Sequence, residues 1–389
     1  WTSTPIPPAT RPRAASRASA TFYVLPLPID PVRLVPASQP PFAAFVVPVS
    51  ERRSIELTWC LAVDSLDSWL AAKPDFVLEL LVGNRGPGGL TPLLKRQGLA
   101  SGASLSLSEL TRSFAEFTLS VDLTEKGLAQ WRDVVSLCYS YLRMLRETGV
   151  PRHVVADAAK MRRLSYEYAE PSPPEAFTTA TVSNLPFFAP EQWLSGPALL
   201  VEPSAAVGGG GGVGTVDALV HGMLARMTPD AAALTLSSKS LAPQPLTEPI
   251  YGTQYGKLAI GAEVSHWRQP PLVADFAPPR PNRFLPDRLA LKARPQQPPR
   301  RASTPSPEPT LLPASTDSAR LHFLQDRTFG RPKAFAYFGL RSDRLYTSAT
   351  VAVAAELFGR LLADALQEVT YEAALGGLVA QTGVSFGEL

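Results

Sequence analysis

Residues 81–128 read LVGNRGPGGLTPLLKRQGLASGASLSLSELTRSFAEFTLSVDLTEKGL, and this stretch decides the fold. Its first feature is the loop at residues 83–89, in which four glycines surround one proline. Such a loop adopts backbone angles that side chains forbid. The spacing of apolar residues at 90–97 predicts a helix, and Gly98 is placed to end that helix as a C-cap.

Two β segments are predicted after this helix, at residues 100–107 and 113–121, where apolar and polar residues alternate. Residues 122–127, Asp-Leu-Thr-Glu-Lys-Gly, then open a long amphipathic helix that is predicted to continue to about residue 147. The apolar residues that define its buried face recur at spacings of three and four: Leu128, Trp131, Val135, Cys138, Leu142 and Leu145.

The stretch upstream supplies the remaining elements of the same unit. Residues 55–63, IELTWCLAV, have the β-branched and apolar content of a buried strand. Residues 69–81 have helical spacing, and Pro74 is expected near the helix start, where its missing N–H does no harm. Strand, helix, loop, helix, two strands and a long helix predict an α+β fold, with an antiparallel-rich sheet packed against helices.

Composition limits the function classes. The chain has 389 residues, 45% of them hydrophobic, which is enough for a core in each of about two domains. A formal net charge of +3 is too small a bias to indicate nucleic-acid binding. The two cysteines, Cys60 and Cys138, cannot build a disulfide framework or a zinc ribbon. No apolar stretch reaches the roughly 18–20 residues of a membrane span, so we expect no membrane partner and a soluble chain.

Proline and glycine divide the chain into four predicted parts. Residues 1–41 are a Pro/Ala-rich connector that is mostly irregular, and residues 42–290 form a complete α+β domain. Residues 291–318 are a Pro/Arg-rich linker, within a proline-dominated stretch from residue 269 that is expected to be extended and unable to pack a core. Residues 319–389 begin a second domain that is not completed.

This second domain is predicted to contain a strand at residues 334–340 and a helix at residues 348–366. The chain starts with Trp1, and the last residues follow a helical pattern without a terminating tail. We therefore expect the sequence to be a fragment of a longer polypeptide.

A search for catalytic and metal-binding patterns yields no candidate residue. The four histidines, His153, His221, His266 and His322, form no His-x-x-x-His, His-x-x-Glu-His or Cys-His pair. No Gly-x-Ser-x-Gly motif is present. The glycine run at residues 208–212 leads into a formal dinucleotide-binding pattern at Gly209, Gly211 and Gly214, but no acidic residue follows at the required place, so a flexible insertion is the better interpretation.

The backbone offers a more specific possibility. The glycine-rich loop lies just before a helix and an edge-like strand, and the two together can present free N–H and C=O groups to an extended peptide. Such strand addition reads the peptide backbone and needs no conspicuous side-chain motif. An ordinary hairpin on a tight turn explains the same residues equally well.

The order of motifs resembles the insulin-degrading (insulysin) branch of the pitrilysin-type zinc metallopeptidases, which carry an inverted His-x-x-Glu-His motif. Residues 81–90 are similar to the family pattern LIGHEGPGSL, and residues 121–128 to VDLTEEGL at the same spacing. Further matches follow in the family order, at residues 182–193, 238–240, 248–255, 282–286 and 331–338. The resemblance covers residues 42–389, with the glycine run and the Pro/Arg linker as extra length.

The resemblance implies that this chain is the middle portion of such a peptidase. It would contain the second, non-catalytic domain, the connector between the two halves, and the truncated start of the third domain. No cofactor is expected in this chain, because the family's zinc motif lies in a first domain that is absent here. By the same resemblance, a peptide-binding exosite would be formed by Gly83, Gly86, Gly88, Ser101, Gly102, Ala103, Ser104 and Leu105.

The family histidine in the loop is replaced by Asn84, so peptide specificity is expected to differ. The predicted function is substrate anchoring in an enclosed peptidase chamber, with no catalytic residue and no metal ligand in this chain. Expected partners are peptide substrates and the catalytic and C-terminal domains of the same protein, with a homodimer of the parent as a possible assembly. We expect an intracellular protein of the cytoplasm or an organelle matrix.

Two alternatives stay open at this point. The first is a catalytically inactive relative that acts as an assembly or scaffold subunit, for which a stoichiometric partner is the discriminating observation. The second is a truncated gene product whose unfinished last domain exposes apolar surface and aggregates.

Overall fold

The computed structural model describes residues 41–201, 215–291, 308–316, 318–325, 330–342 and 344–384. The connector predicted at residues 1–41, apart from its last residue, lies outside this description. So do the glycine run at residues 208–212 and residues 292–307 of the predicted linker.

A mixed sheet organises the first part of the described chain. Its strands lie in the order β3-β4-β2-β5-β1-β7-β6. All neighbouring strands pair antiparallel except β1 and β5, which are parallel. The strands are β1 (Phe42–Val46), β2 (Arg53–Ala62), β3 (Ala100–Leu110), β4 (Phe114–Leu123), β5 (Ala232–Ser238), β6 (Leu246–Thr247) and β7 (Gln254–Ala259). A separate hairpin joins β8 (Thr310–Leu311) and β9 (His322–Phe323).

Helices cover the sheet and form the C-terminal part. They are α1 (Leu66–Ala72), α2 (Pro74–Val82), α3 (Leu90–Arg96), α4 (Glu125–Ala129), α5 (Trp131–Thr148), α6 (Arg152–Glu167), α7 (Pro174–Asn184), α8 (Val216–Arg226), α9 (Gly261–Trp267), α10 (Ala349–Ala365) and α11 (Gln367–Leu375). Within the described ranges, no helix is long and apolar enough to cross a membrane.

The core lies between the sheet and the helices α2, α3, α5 and α8. Along β4, every second residue from Ala115 to Val121 is fully buried, as a half-buried strand requires. Aromatic rings connect the sheet to α5 and α9, because Trp59 meets Tyr139 edge-on at 6.3 Å and Tyr139 stacks on Trp267 at 6.1 Å. Such pairs add about 0.5–1.5 kcal/mol each beyond the area that they bury.

Two predicted helices are each split in the structure. The helix predicted at residues 69–81 is α1 followed by α2, because Lys73 takes a left-handed backbone conformation with φ 45° between them. Pro74 does begin α2, as predicted. The long helix predicted to residue 147 breaks at Gln130 into α4 and α5. Apolar periodicity alone does not reveal such breaks, since both halves bury residues against the same sheet.

The strand predicted at residues 334–340 is wrong. Among the described residues no strand pairs with this segment, and its side chains are exposed. Aromatic and small residues give a strand-like pattern, but a strand forms only where a neighbour accepts its backbone hydrogen bonds. The helix predicted at residues 348–366 is confirmed as α10.

The proline-rich stretch after residue 269 is only partly extended linker. Phe276 and Leu285 are buried, and the Ala277 N–H donates to the Gly88 carbonyl at 3.0 Å. The expectation that this stretch cannot pack was therefore wrong up to about residue 287, because it lies along the first domain, Phe276 joins the core and Leu285 is also buried. The domain boundaries themselves remain a prediction.

Candidate functional site

Among the described strands, β3 forms one edge of the sheet and pairs with β4 alone. Its register is interrupted between Ala100 and Gly102, and again between Leu107 and Glu109. Each interruption is a local bulge that disturbs the ladder. Residues 102–107 are therefore the regular part of this edge.

Two side chains mark which backbone groups of β3 face outward. The Thr91 hydroxyl donates to the Ala103 carbonyl at 3.2 Å, and the Leu107 N–H donates to Glu79 Oε1 at 3.1 Å. Neither partner belongs to β4, so Ala103 and Leu107 direct their backbone groups away from it. Because antiparallel strands alternate between inward and outward residues, the backbone groups of Leu105 face the same outward side.

The glycine loop begins beside this edge. The Gly83 N–H caps α2 by donating to the Glu79 carbonyl at 2.8 Å. A Cβ built on Gly83 would lie 2.7 Å from that carbonyl and 4.0 Å from the Leu105 nitrogen. A side chain there would collide with that carbonyl, so the position requires glycine, and the loop passes close to the backbone of Leu105.

Other glycines hold the shape of the loop. Asn84 is buried and its Oδ1 accepts from the Gly86 N–H at 2.9 Å, which closes a tight turn. Gly88 has φ 84°, and a Cβ there would lie 2.9 Å from the Ala277 side chain. A Cβ on Gly89 would lie 2.2 Å from the Asn84 carbonyl. Gly88 and Gly89 are thus required by packing and backbone conformation.

Helix α11 lies against the outer side of the loop. A Cβ on Gly86 would lie 3.0 Å from a carboxylate oxygen of Glu372, and Arg85 stands 6.0 Å from the Tyr371 ring centre. The side chain of Asn282 donates to the Glu372 carbonyl at 2.8 Å. The loop therefore lies between the edge of the sheet and the C-terminal helices.

A cavity of about 40 Å³ remains between α2, α6 and α11, lined by Asn84, Asp157 and Glu372 among others. Small-molecule sites usually measure about 300–1,000 Å³. This cavity has room for little more than a water molecule. The edge of β3 is consequently a better candidate for ligand binding than this cavity.

Charged groups collect where α2 and α6 meet. Burial raises the pKa of Glu79, while the N–H of Leu107 that it accepts acts in the opposite direction. Burial also raises the pKa of Asp75 and lowers the pKa of Lys73 to about 8. The guanidinium of Arg162 lies near both carboxylates and donates to the Ala198 carbonyl at 2.7 Å. The cluster is structural, since its members satisfy one another and nearby carbonyls.

The described residues contain no group of three or more His, Cys, Asp or Glu side chains that could hold a metal ion. They therefore offer no donor set for zinc. Both thiols are poor nucleophiles, because burial raises the pKa of Cys60 and raises that of Cys138 to about 12.

The structure brings part of the predicted exosite together. Gly83 lies beside the outward backbone of Leu105, and Ala103 faces the same way. By the alternation of the strand, Gly102 and Ser104 direct their backbone groups toward β4, and Ser101 lies within the first bulge. Gly86 and Gly88 shape the loop without reaching the strand.

Three residues at this edge were missed by the sequence analysis: Glu79, Thr91 and Leu107. Period-two alternation from Ala103 points to Leu107, so that residue was within reach of a sequence argument. The positions of Glu79 and Thr91 depend on how α2 and α3 pack on β3, and no local pattern indicates it.

Comparison with known proteins agrees with the fold. The family described as "Middle or third domain of peptidase_M16" matches residues 166–387, which is more than half of the chain. The chain therefore belongs to the M16 peptidase family, as a middle portion. The resemblance to insulin-degrading enzymes and pitrilysin seen in the motifs is confirmed.

Two relatives show the extent of the similarity. The insulin-degrading enzyme of Drosophila melanogaster is 27% identical over 335 residues, which cover 86% of this chain and 32% of that enzyme. The insulin-degrading enzyme of Homo sapiens is 28% identical over 335 residues, covering 86% of this chain and 31% of the enzyme. This chain thus spans about a third of the length of these relatives.

The crystal structure of pitrilysin superposes with a TM-score of 0.61 at 21% identity, covering 86% of this chain and 34% of that one. At this identity the match speaks for the fold alone. The predicted α+β, pitrilysin-type fold is confirmed.

Proposed function

We propose that this chain is the non-catalytic, substrate-anchoring part of an insulysin-like zinc metallopeptidase, and that it binds extended peptides by strand addition at β3. The observation that carries the proposal is the regular outward edge at residues 102–107, beside a loop position that only glycine fills. A peptide laid along this edge would pair with the backbone of Ala103 and Leu105. The sequence of the peptide would matter little, because backbone groups make the contacts.

In this proposal zinc and the groups that act on the scissile bond belong to another domain of the parent protein. The resemblance of this chain to insulin-degrading enzymes supports the assignment. The role of this chain is to hold one part of a peptide in place, which raises the effective concentration of the rest at a distant catalytic centre.

The remaining domains of the parent protein are the partners that we propose for the apolar surfaces of the C-terminal part. Helix α10 buries none of its residues, and Phe358 on it is 65% exposed. In the preceding extended segment, Phe335 and Phe338 are 80% and 90% exposed. Exposure of several large apolar side chains is typical of an interaction surface in a folded protein.

These same surfaces also fit the alternative, an inactive relative that serves as an assembly subunit. The two functions differ at β3, because an assembly subunit needs no peptide-binding edge. Peptide binding by the chain therefore discriminates between them.

The test replaces Ala103 with proline in the full chain. Ala103→Pro removes an outward N–H but no hydrogen bond to β4, and proline is tolerated at an edge strand whose N–H faces outward. Binding of a fluorescein-labelled unstructured peptide is followed by anisotropy. The variant is expected to bind at least about fivefold more weakly, since it loses one hydrogen bond and the adjacent pairing.

A matched control lies on the opposite edge of the sheet. The Glu248 N–H donates to the Thr253 carbonyl at 2.8 Å, so by alternation the N–H of Thr247 in β6 points outward. Thr247→Pro should leave peptide affinity unchanged. Equal peptide affinity in Ala103→Pro and the wild type, with both proteins folded, would refute strand addition at β3.

A further inference from the structure

Glu79 holds a position at the β3 edge that an added strand would need. It lies on α2, one turn before Gly83, and its side chain is half-buried. Its Oε1 accepts the outward N–H of Leu107 at 3.1 Å. This is the bond that a carbonyl of an incoming peptide would otherwise make.

Thr91 and Glu79 differ in whether the β3 backbone group that they bind can still pair with a peptide. A backbone carbonyl has two lone pairs, so Ala103 can accept from Thr91 and from a peptide at the same time. A backbone N–H has one proton, so Leu107 cannot donate to a peptide while it donates to Glu79. Thr91 therefore leaves the edge open, whereas Glu79 closes it at one point.

The contact between Glu79 and Leu107 lies where the regular segment of β3 ends. Leu107 is the last residue of the regular segment, because the register shifts immediately after it, between Leu107 and Glu109. A peptide that pairs with Ala103 and Leu105 would next reach Leu107, where its donor is occupied. Pairing of the peptide with β3 therefore stops at Leu105 and does not reach Leu107, the last outward residue before the bulge.

We infer that Glu79 is a specificity-determining residue of the proposed peptide site, because it occupies the Leu107 N–H and so limits strand addition to a short peptide stretch opposite Ala103 and Leu105. This inference rests on the proposed function. Although the β3 edge contacts only the peptide backbone, the Glu79 contact makes it selective among peptides. The contact sets the length of peptide that is held and the point at which the peptide leaves the sheet.

The experiment measures affinity against peptide length for the wild type and Glu79→Ala. Unstructured peptides of about four and about eight residues are used, since strand pairing advances one residue at a time. In the wild type both peptides should bind almost equally. In Glu79→Ala the longer peptide should bind about 2–10-fold more tightly than it does to the wild type, the range that one net hydrogen bond provides, while the shorter one is unchanged.

Two control variants separate occupancy from charge. Glu79→Gln keeps an oxygen acceptor at the same reach and should retain the wild-type length dependence within about twofold. Glu109→Ala removes a carboxylate from β3 itself without touching the Leu107 N–H, and should also behave as the wild type. Hydrogen exchange of the Leu107 amide gives a second readout: it should lose protection in Glu79→Ala and regain it with the longer peptide.

The inference is overturned if Glu79→Ala binds both peptides with wild-type affinities, or if Leu107 exchange is unchanged in that variant. In those cases peptide binding survives and the proposed function stands. Absence of binding to the wild type, or wild-type binding by Ala103→Pro, would instead overturn the proposed function and this inference with it.

Discussion

Tyr141 offers a quantitative test of how the glycine loop is positioned. The last carbonyls of α2 have no partner within the helix, as at every helix end. One of them, that of Leu81, accepts the buried hydroxyl of Tyr141 at 2.8 Å, two residues before Gly83. Burial raises the pKa of this phenol, so the hydroxyl is protonated and donates at neutral pH.

Tyr141→Phe removes that donor, together with the interaction of the same hydroxyl with the Asn84 side chain of the loop. The ring keeps its edge-on contact with Phe276, whose centre lies 5.0 Å away, so no cavity forms. The Leu81 carbonyl is left buried without its hydrogen bond, which costs about 1–3 kcal/mol. For a folded unit of about 250 residues this lowers the melting temperature by about 2–12 °C.

Urea unfolding followed by tryptophan fluorescence measures the change, with an unchanged m-value showing that the unfolding transition is the same. Tyr166→Phe, at a side chain that is 39% exposed, makes the same chemical change and should shift the free energy of unfolding by less than about 0.5 kcal/mol. Peptide affinity at β3 should fall in Tyr141→Phe as the loop loosens. Equal stability of the two variants would refute the claim that Tyr141 holds the end of α2.

Three further outcomes follow from the loop, the charge cluster and the core. Gly88→Ala should lower the free energy of unfolding in urea by more than about 2 kcal/mol, because Gly88 has a left-handed backbone and its Cβ position is blocked by Ala277. Gly98→Ala should lower it by only about 1–2 kcal/mol, because Gly98 has φ 66° but open space around its Cβ position. Lys73 has a folded pKa of about 8, below its unfolded value of 10.5, so the unfolded state binds more protons between these values and stability should rise with pH across this window. Lys73→Met should abolish that part of the pH dependence, and an identical slope in both proteins would contradict the assignment. Cys138, with its pKa raised to about 12 by burial, should resist alkylation at pH 8 until the protein is unfolded, as mass spectrometry can show.

The sequence predicted those elements of the fold that have a clear local pattern of apolar and polar residues. Strands β2, β3 and β4 alternate strictly and were found within a few residues of their ends. Strand β7 and helix α9 are short and lie in a stretch of mixed composition, so no period emerges. The break at Lys73 was not predictable, because lysine rarely takes a left-handed conformation and here does so only with its side chain bonded to the Leu70 carbonyl.

Some residues of the candidate site were predicted from the sequence and others were not, for the same reason. Gly83 was predicted as a site residue from the family resemblance, because composition alone explained the same glycines equally well as an ordinary tight turn. Glu79 looked like an ordinary polar residue on a helix, because its role depends on the packing of α2 against a strand 28 positions later. Contacts of that kind are set by tertiary packing and leave no mark in a local pattern.

The stabilities of the two parts that meet at the glycine loop differ, and this difference bears on access to the β3 edge. The sheet is held by a continuous buried core, whereas α10 buries no residue and α11 buries only Ala373. Their contacts with the first part include the ion pair of Lys95 on α3 with Asp364, which is partly exposed and worth at most about 1 kcal/mol. The C-terminal helices should therefore leave the loop at a far lower free energy than global unfolding. Access to the edge along the loop can thus be gained without disturbing the sheet that presents it.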